Sequence, residues 1–407
     1  MYGILREKSE GLSAAVVEFA GKLIQHPSPS LREEQVARLV ETMMVHAGFD
    51  KVHRDPVGNV VGVMRGREGV PGLMLMSHMD TVAPSVKNPW TELPTSGTVS
   101  DGRLCGLGAA DCKAGLAAQI FAACLLKRSL LPLRGNLIVA ATVAEENGCS
   151  VGARRLMEKT LRELEIRPDY VILGEPTDLG LYYGHDGWME LELTVEGTNP
   201  FQVGDAAKAV YDDIAHGASE DDEAVEEMSV QRPRFQEVGG MRRATMQMRR
   251  RLTSPDQAGE IIRQVEHGAQ LVAQSMGTVA VEVAVRQEQQ QLYTGQTTVV
   301  RRLTNAWATD PFNPLMERSR QALAAAGCVV RPGKWQLGRL GMGTAGSMLV
   351  NEFHIPTIGY GPGEECQAHA PNESVAVDRV VEAMYGTAAI AHSLVGIPVF
   401  GWGSDEI

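Results

Sequence analysis

The placement of imidazole and carboxylate side chains narrows the folds open to this chain more than any other feature. His78 follows the apolar run Leu-Met-Leu-Met, and the pair Glu145 and Glu146 follows Ile-Val-Ala-Ala-Thr-Val-Ala. Glu175 comes just after Tyr-Val-Ile-Leu, and His369 lies a loop beyond Thr-Ile-Gly-Tyr. Asp111 opens a helix-like stretch of small and apolar residues at 113–126. Open α/β sheets bind ligands in the crevice beyond the carboxyl ends of their strands. A fold that suits this pattern therefore brings several strand ends to one edge. Two imidazoles with several carboxylates form a mixed nitrogen and oxygen donor set that suits zinc or a similar divalent ion.

The hydrophobic periodicity points the same way. Helical and strand-like periods alternate up to about Val171, with helices expected at 12–24, 31–47 and 113–126 and strands at 57–64, 73–76, 136–143 and 170–173. That alternation is the mark of strands paired in parallel through crossover helices. After Gly184 the style changes to a half-exposed strand at 188–195, a helix at 205–228 with an acidic end, a strand at 244–252, a helix at 256–275 and a strand at 279–285. The first style returns after about Gly295, with a helix at 314–326, a strand at 356–360 and a final helix at 378–394. The expected architecture is an α/β catalytic domain with a mixed, mostly parallel sheet, built from residues 1–184 and 294–407. A small α+β lid at 185–293 interrupts it. No internal repeat or low-complexity tract is seen, and the acidic run 220–227 reads as a solvated helix end.

Composition removes some classes of function. A chain of 407 residues with 44% apolar content can bury a large core. Its net charge of -12 argues against nucleic-acid binding, which needs a basic face; the cluster Arg242 to Arg251 alternates with apolar residues like the exposed side of a strand. No uninterrupted apolar run approaches the ~18 residues of a membrane span. Neither a signal peptide nor a transit peptide is evident, and the expectation is a cytoplasmic protein. The six cysteines lack C-x-x-C spacing and read as reduced core or loop residues.

Each candidate has a plainer reading when taken alone. His78 with Asp80 fits an ordinary turn histidine beside a carboxylate, and Asp111 fits the N-cap of the helix that follows it. Glu145 and Glu146 fit solvated loop charges, Glu175 a turn residue before proline, and His369 a loop histidine. The joint pattern is what favours a metal site.

Ser-His-Met-Asp-Thr-Val (77–82), Gly-Leu-Gly-Ala-Ala-Asp-Cys-Lys-Ala-Gly (106–115), Glu-Glu-Asn-Gly (145–148), Gly-Glu-Pro-Thr (174–177) and Ala-His-Ala-Pro-Asn-Glu (368–373) follow one another along nearly the whole chain. Together they resemble the dinuclear zinc amidohydrolases and peptidases, the superfamily of acetylornithine deacetylase, succinyl-diaminopimelate desuccinylase and the aminoacylases. Arg-Arg-Leu-Thr at 250–253 and Gly-Tyr-Gly-Pro-Gly at 359–363 look closest to the hydrolases linked to selenium metabolism. The resemblance implies a zinc-exopeptidase-like catalytic domain and a ferredoxin-like lid through which two copies pair, the exposed strand edge at 188–195 being the expected contact. It also implies two divalent metal ions, zinc first and cobalt or manganese as alternatives. Asp111 would bridge them, with His78 and Glu175 completing one site and Glu146 and His369 the other. Glu145 matches the general base, and Asp80 fits the residue that orients the His78 ring. The implied reaction is hydrolysis of an N-acyl, N-carbamoyl or dipeptide-like amide in a small molecule.

The lid departs from that pattern at the expected substrate-binding positions. Relatives carry a histidine after the first lid strand, where this chain has Gly197-Thr198-Asn199-Pro200-Phe201, and Asn199 is the nearest polar substitute. Where relatives clamp a substrate carboxylate with arginine, this chain has Asp186; an acidic side chain there repels a free carboxylate and favours an amine or an uncharged group. Arg249 replaces an aspartate of the relatives and is a candidate for the missing positive charge, while Arg251 matches their arginine. The alternative reading is a family member impaired in hydrolysis, acting as a metal-binding assembly subunit or as an amide-forming or cyclising enzyme.

Overall fold

The structure is a computed structural model describing residues 1–84, 90–147, 149–216, 228–277, 279–336 and 343–398. Its main sheet has eight strands, in the spatial order Lys51–Arg54, Val60–Met64, Gly135–Thr142, Gly69–His78, Tyr170–Leu173, Thr357–Gly359, Leu181–Tyr182 and Pro332–Gly333. The four strands from Gly135–Thr142 to Thr357–Gly359 run parallel. Both sides of these strands are covered, so they read as continuous apolar runs rather than alternating ones. Leu73, Leu75, Leu137, Val139 and Ile172 face a core shared with the helices Ala114–Arg128 and Val377–Val395. Their neighbours Met74, Met76, Ile138, Ala140, Val171 and Leu173 face a second core with Leu156, Trp307, Trp335 and Leu349. The stretch Ala109–Arg128 is long and apolar enough on average to cross a membrane, but its apolar part, up to Leu126, is buried inside this sandwich and only Lys127 and Arg128 are exposed.

The second sheet is antiparallel and has its own core. Strand Gly187–Gly197, helix Pro200–His216, strands Met228–Val230, Arg234–Val238 and Met241–Leu252, helix Gln257–Ser275 and strand Ala280–Val285 follow a βαβββαβ order. Met189, Leu191, Leu193 and Val195 alternate with polar residues and pack, with Met246 and Met248, against Val203, Ala207, Ile261 and Ala269 of the two helices. Leu303–Thr304, beyond residue 293, pairs back onto Trp188 and Met189.

Several expectations change. The strand at 188–195 is not an edge: it pairs with Met241–Leu252 on one side and Ala280–Val285 on the other, which uses both rows of its backbone groups. Any pairing of copies through this sheet would use an outer strand. The helix expected at 205–228 starts at Pro200, because Asn199 accepts the Phe201 N–H at 3.0 Å and proline suits the first helical position. It runs to His216, Met228 belongs to a strand, and the acidic run 220–227 lies outside the described residues. Several elements were not expected, among them the helices Tyr2–Glu10 and Val151–Arg155, the strand Lys51–Arg54 and the glutamine-rich hairpin of Gln287–Gln291 with Thr297–Arg301.

Packing of the helix Ala114–Arg128 sets the position of the Glu175 turn. A Cβ added at Gly115 would meet the Gly174 carbonyl oxygen at 1.8 Å, so the helix approaches that turn closely only because residue 115 is glycine. Gly115→Ala is expected to cost ~1–3 kcal/mol by overpacking. Denaturant unfolding should show this, together with weakened metal binding, since Glu175 must move.

Candidate metal centre

Parallel pairing brings the expected ligands together. His78 ends its strand level with Thr142 of the next, and Met76 is level with Leu173, so Glu145, Glu146 and Glu175 leave the sheet on the same edge. His369 arrives from the loop after Thr357–Gly359 in the left-handed backbone region, at φ 59°. Asp111 sits in the turn before the helix Ala114–Arg128, with extended rather than helical backbone angles, and it caps no helix.

The two oxygens of Asp111 face different imidazoles. Its Oδ1 is 3.0 Å from His78 Nε2, and its Oδ2 is 3.5 Å from His369 Nε2. Glu175 Oε2 lies 3.7 Å from His78 Nε2, and Glu146 Oε2 lies 2.7 Å from His369 Nε2. Two donor groups result, one of His78, Asp111, Cys112 and Glu175 and the other of Asp111, Glu146 and His369, the donor atoms in each lying within 4.8 Å of one another. Asp111 belongs to both. Among the described residues Glu146 Oε1 is buried with no hydrogen-bond partner, which fits a carboxylate able to ligate a cation. Glu145 belongs to neither group, and its Oε1 accepts the Ser150 hydroxyl at 2.9 Å.

Asp80 has a wider role than the ring orientation expected of it. His78 Nδ1 is 2.9 Å from the Asp80 carbonyl oxygen and 3.7 Å from its carboxylate, so the backbone is the closer partner of the ring. The carboxylate accepts the Glu145 N–H at 3.1 Å, the Glu146 N–H at 3.0 Å and the Ser30 hydroxyl at 2.6 Å. It thereby fixes both glutamates through their backbone. Glu373 was quoted in a motif but given no task by sequence reasoning, Cys112 was quoted in another and read only as a reduced core or loop cysteine, and Ser30 and Ser150 were missed. The Glu373 carboxylate, 1% exposed, accepts the N–H groups of Gly108, Ala110 and Asp111 at 2.7 to 2.9 Å and so secures the Asp111 turn. Its place four residues after His369 was the available signal.

The second-sheet candidates are engaged elsewhere. Arg251 holds Asp186, with Nη2 and Nε at 2.5 and 2.9 Å from Oδ2, so it is Arg251 and not Arg249 that meets this carboxylate. Arg249 pairs with Glu190 at 2.8 Å, and Asn199 Oδ1 serves as the helix cap described above.

Burial and crowding of like charge govern the electrostatics. Burial, with the charges of Glu175, Glu146 and Asp80, holds the Glu145 carboxyl well above its usual range despite His78 nearby. Burial and the Asp111 charge push Glu146 up to about 7. Burial depresses His369, but the hydrogen bond and charge of Glu146 outweigh it and raise the imidazole to about 9. A surplus of carboxylates over imidazoles thus retains protons that cations can displace.

A model of the family described as Peptidase family M20/M25/M40 matches residues 74–393. The chain belongs to that family. It is 32% identical to the Escherichia coli protein YgeY over 200 residues, 49% of this chain and 48% of that one. It is also 31% identical to succinyl-diaminopimelate desuccinylase of Wolbachia pipientis over 189 residues, 44% of this chain and 47% of the relative. The chain thus spans about half the length of the curated relatives it matches. Among solved structures, a tripeptidase from Staphylococcus aureus shares the fold with a TM-score of 0.68 at 19% identity, covering 94% of this chain and 98% of that one. A dinuclear metal binding peptidase of the M20 family from Bacillus subtilis matches with a TM-score of 0.68 at 15% identity and the same coverage.

The protonation states have a measurable consequence. A histidine raised from 6.5 to about 9 stabilises the metal-free fold fully below 6.5, and that contribution is lost as pH rises toward 9. Cations need the neutral ring, so their affinity should climb over the same interval. Calorimetric titration in buffers of different ionisation enthalpy should count protons released on binding at neutral pH, fewer of them near pH 9.

Proposed function

We propose that this protein is a metal-dependent hydrolase that cleaves an amide bond in a small molecule. The observation that carries the reading is the sharing of Asp111 between two donor groups while Glu145 stands beside them, buried and outside both. His78, Asp111 and Glu175 would hold one divalent ion, and Asp111, Glu146 and His369 the other. Ions held there would supply Lewis acidity, to polarise an amide carbonyl and to make a water nucleophilic near neutral pH. Zinc suits the donor set best, with cobalt or manganese as substitutes.

The remaining work falls to the chain. Glu145 takes a proton from the attacking water and passes it to the departing nitrogen, which yields a carboxylic acid and an amine. Ser150 occupies one carboxylate oxygen and leaves the other for the proton. Asp80, by accepting consecutive N–H groups, keeps Glu145 and Glu146 on separate tasks. The names of relatives, succinyl-diaminopimelate desuccinylase and [LysW]-lysine/[LysW]-ornithine hydrolase, support an N-acylated amino compound as substrate class. We further propose that the second sheet is a lid, and that the Asp186–Arg251 ion pair reduces its demand for a free substrate carboxylate.

Glu145→Ala should retain both metals by elemental analysis and lose ~10²–10⁴-fold or more in rate on N-acyl amino acids and dipeptides. An unchanged rate would remove Glu145 from its role. Asp186→Asn should shift selectivity, as ratios of kcat/KM, toward substrates with a free carboxylate.

A further inference from the structure

We propose that the Cys112 sulfur is an additional donor to the cation held by His78, Asp111 and Glu175, which makes this half of the centre selective for thiophilic ions. The inference rests on the metal-dependent reading above. Cys112 Sγ stands with one donor atom each of His78, Asp111 and Glu175 inside a single group, all within 4.8 Å. Its side chain is fully buried, yet it joins none of the hydrophobic clusters among the described residues, whereas buried Cys124 and Cys328 both sit in one. A buried thiol that behaved as a small apolar group would pack among carbons. This one faces an imidazole and two carboxylates.

The hydrogen bonds around it fit ligation. The His78 backbone N–H donates to Cys112 Sγ at 3.3 Å, and the thiol's own contact, to the His78 carbonyl oxygen at 3.7 Å, is a long one that ligation would give up. His78 Nδ1 is taken by the Asp80 carbonyl, so Nε2, on the Asp111 and Glu175 side, is the ring's free donor. When sulfur binds the cation the S–H bond breaks, the S–metal bond forms and the proton leaves to solvent. The other group, of Asp111, Glu146 and His369, contains no sulfur. The two halves therefore differ in softness: thiolate favours zinc or cadmium over manganese, while an all nitrogen and oxygen set discriminates less.

Cobalt(II) is the probe. The intact protein loaded with two equivalents should show a near-ultraviolet sulfur-to-cobalt charge-transfer band, and Cys112→Ser should bind two equivalents and lack it. Competition against a chelator should show Cys112→Ser losing ~10- to 100-fold in zinc affinity at one site with manganese affinity little changed. Zinc-edge X-ray absorption of the unmodified protein, which needs no variant to fold, should contain one sulfur for every two zinc ions. Two bound cobalt ions with no band, a band that survives in Cys112→Ser, or absorption free of sulfur would overturn the assignment and leave the hydrolase reading standing. Failure to bind cobalt at all would instead sink both.

Discussion

The centre depends on the cost of burying like charges together. Asp80, Asp111, Glu145 and Glu175 are all less than a tenth exposed, and Glu146 is beside them, against the imidazoles of His78 and His369. No core tolerates that surplus as bare charge, so the group must hold protons, cations or both. Asp111 is where the two halves meet, because its oxygens face separate rings. The interior of the sandwich can be apolar because this charge is gathered at one edge of the sheet, where strand ends leave backbone groups to receive it.

Carboxylates also build the supporting shell, and they do so by taking backbone N–H groups. Asp80 accepts from Glu145 and Glu146, Glu373 from Gly108, Ala110 and Asp111, and Glu33 from Leu31 and Ala144. Each satisfies donors in a turn that no strand or helix can pair. Turns that present ligands are thus tied to buried anions instead of being left to solvent, and the ligand geometry inherits the stiffness of the core beneath it.

Much of this was legible in the sequence. Strands buried on both faces wrote themselves as unbroken apolar runs, and the ligands followed those runs directly, so the joint position of His78, Glu145, Glu146 and Glu175 could be read without coordinates. Asp111 and His369 stood out less, one opening an apolar helix-like stretch and the other lying a loop beyond its strand, and the family motifs gave them their expected roles. What stayed hidden had no periodic or compositional trace. The pairing of Arg251 with Asp186 depends on strand register, which places Gly187 opposite Leu252. In the hairpin of Gln287–Gln291 with Thr297–Arg301 the first strand is wholly polar and the second has its two valines side by side, so it gave no alternation to detect. The strand Gly187–Gly197 looked like an edge because its burial pattern reports side chains, whereas edge status is decided by what its backbone meets.

That hairpin links the two sheets in a way their separate cores conceal. Gln290 accepts a hydrogen bond from Asn147, and the Arg301 carbonyl accepts from Cys149, both in the loop that carries Glu145. Tyr293 at its tip donates its hydroxyl to the Gly58 carbonyl, and at its base Glu288 pairs with Arg286, which also holds Glu190 of the second sheet. The second sheet is consequently tied to the turn from which Glu145 leaves the main sheet. A chimera that borrowed another protein's second sheet without this ribbon would cut that tie.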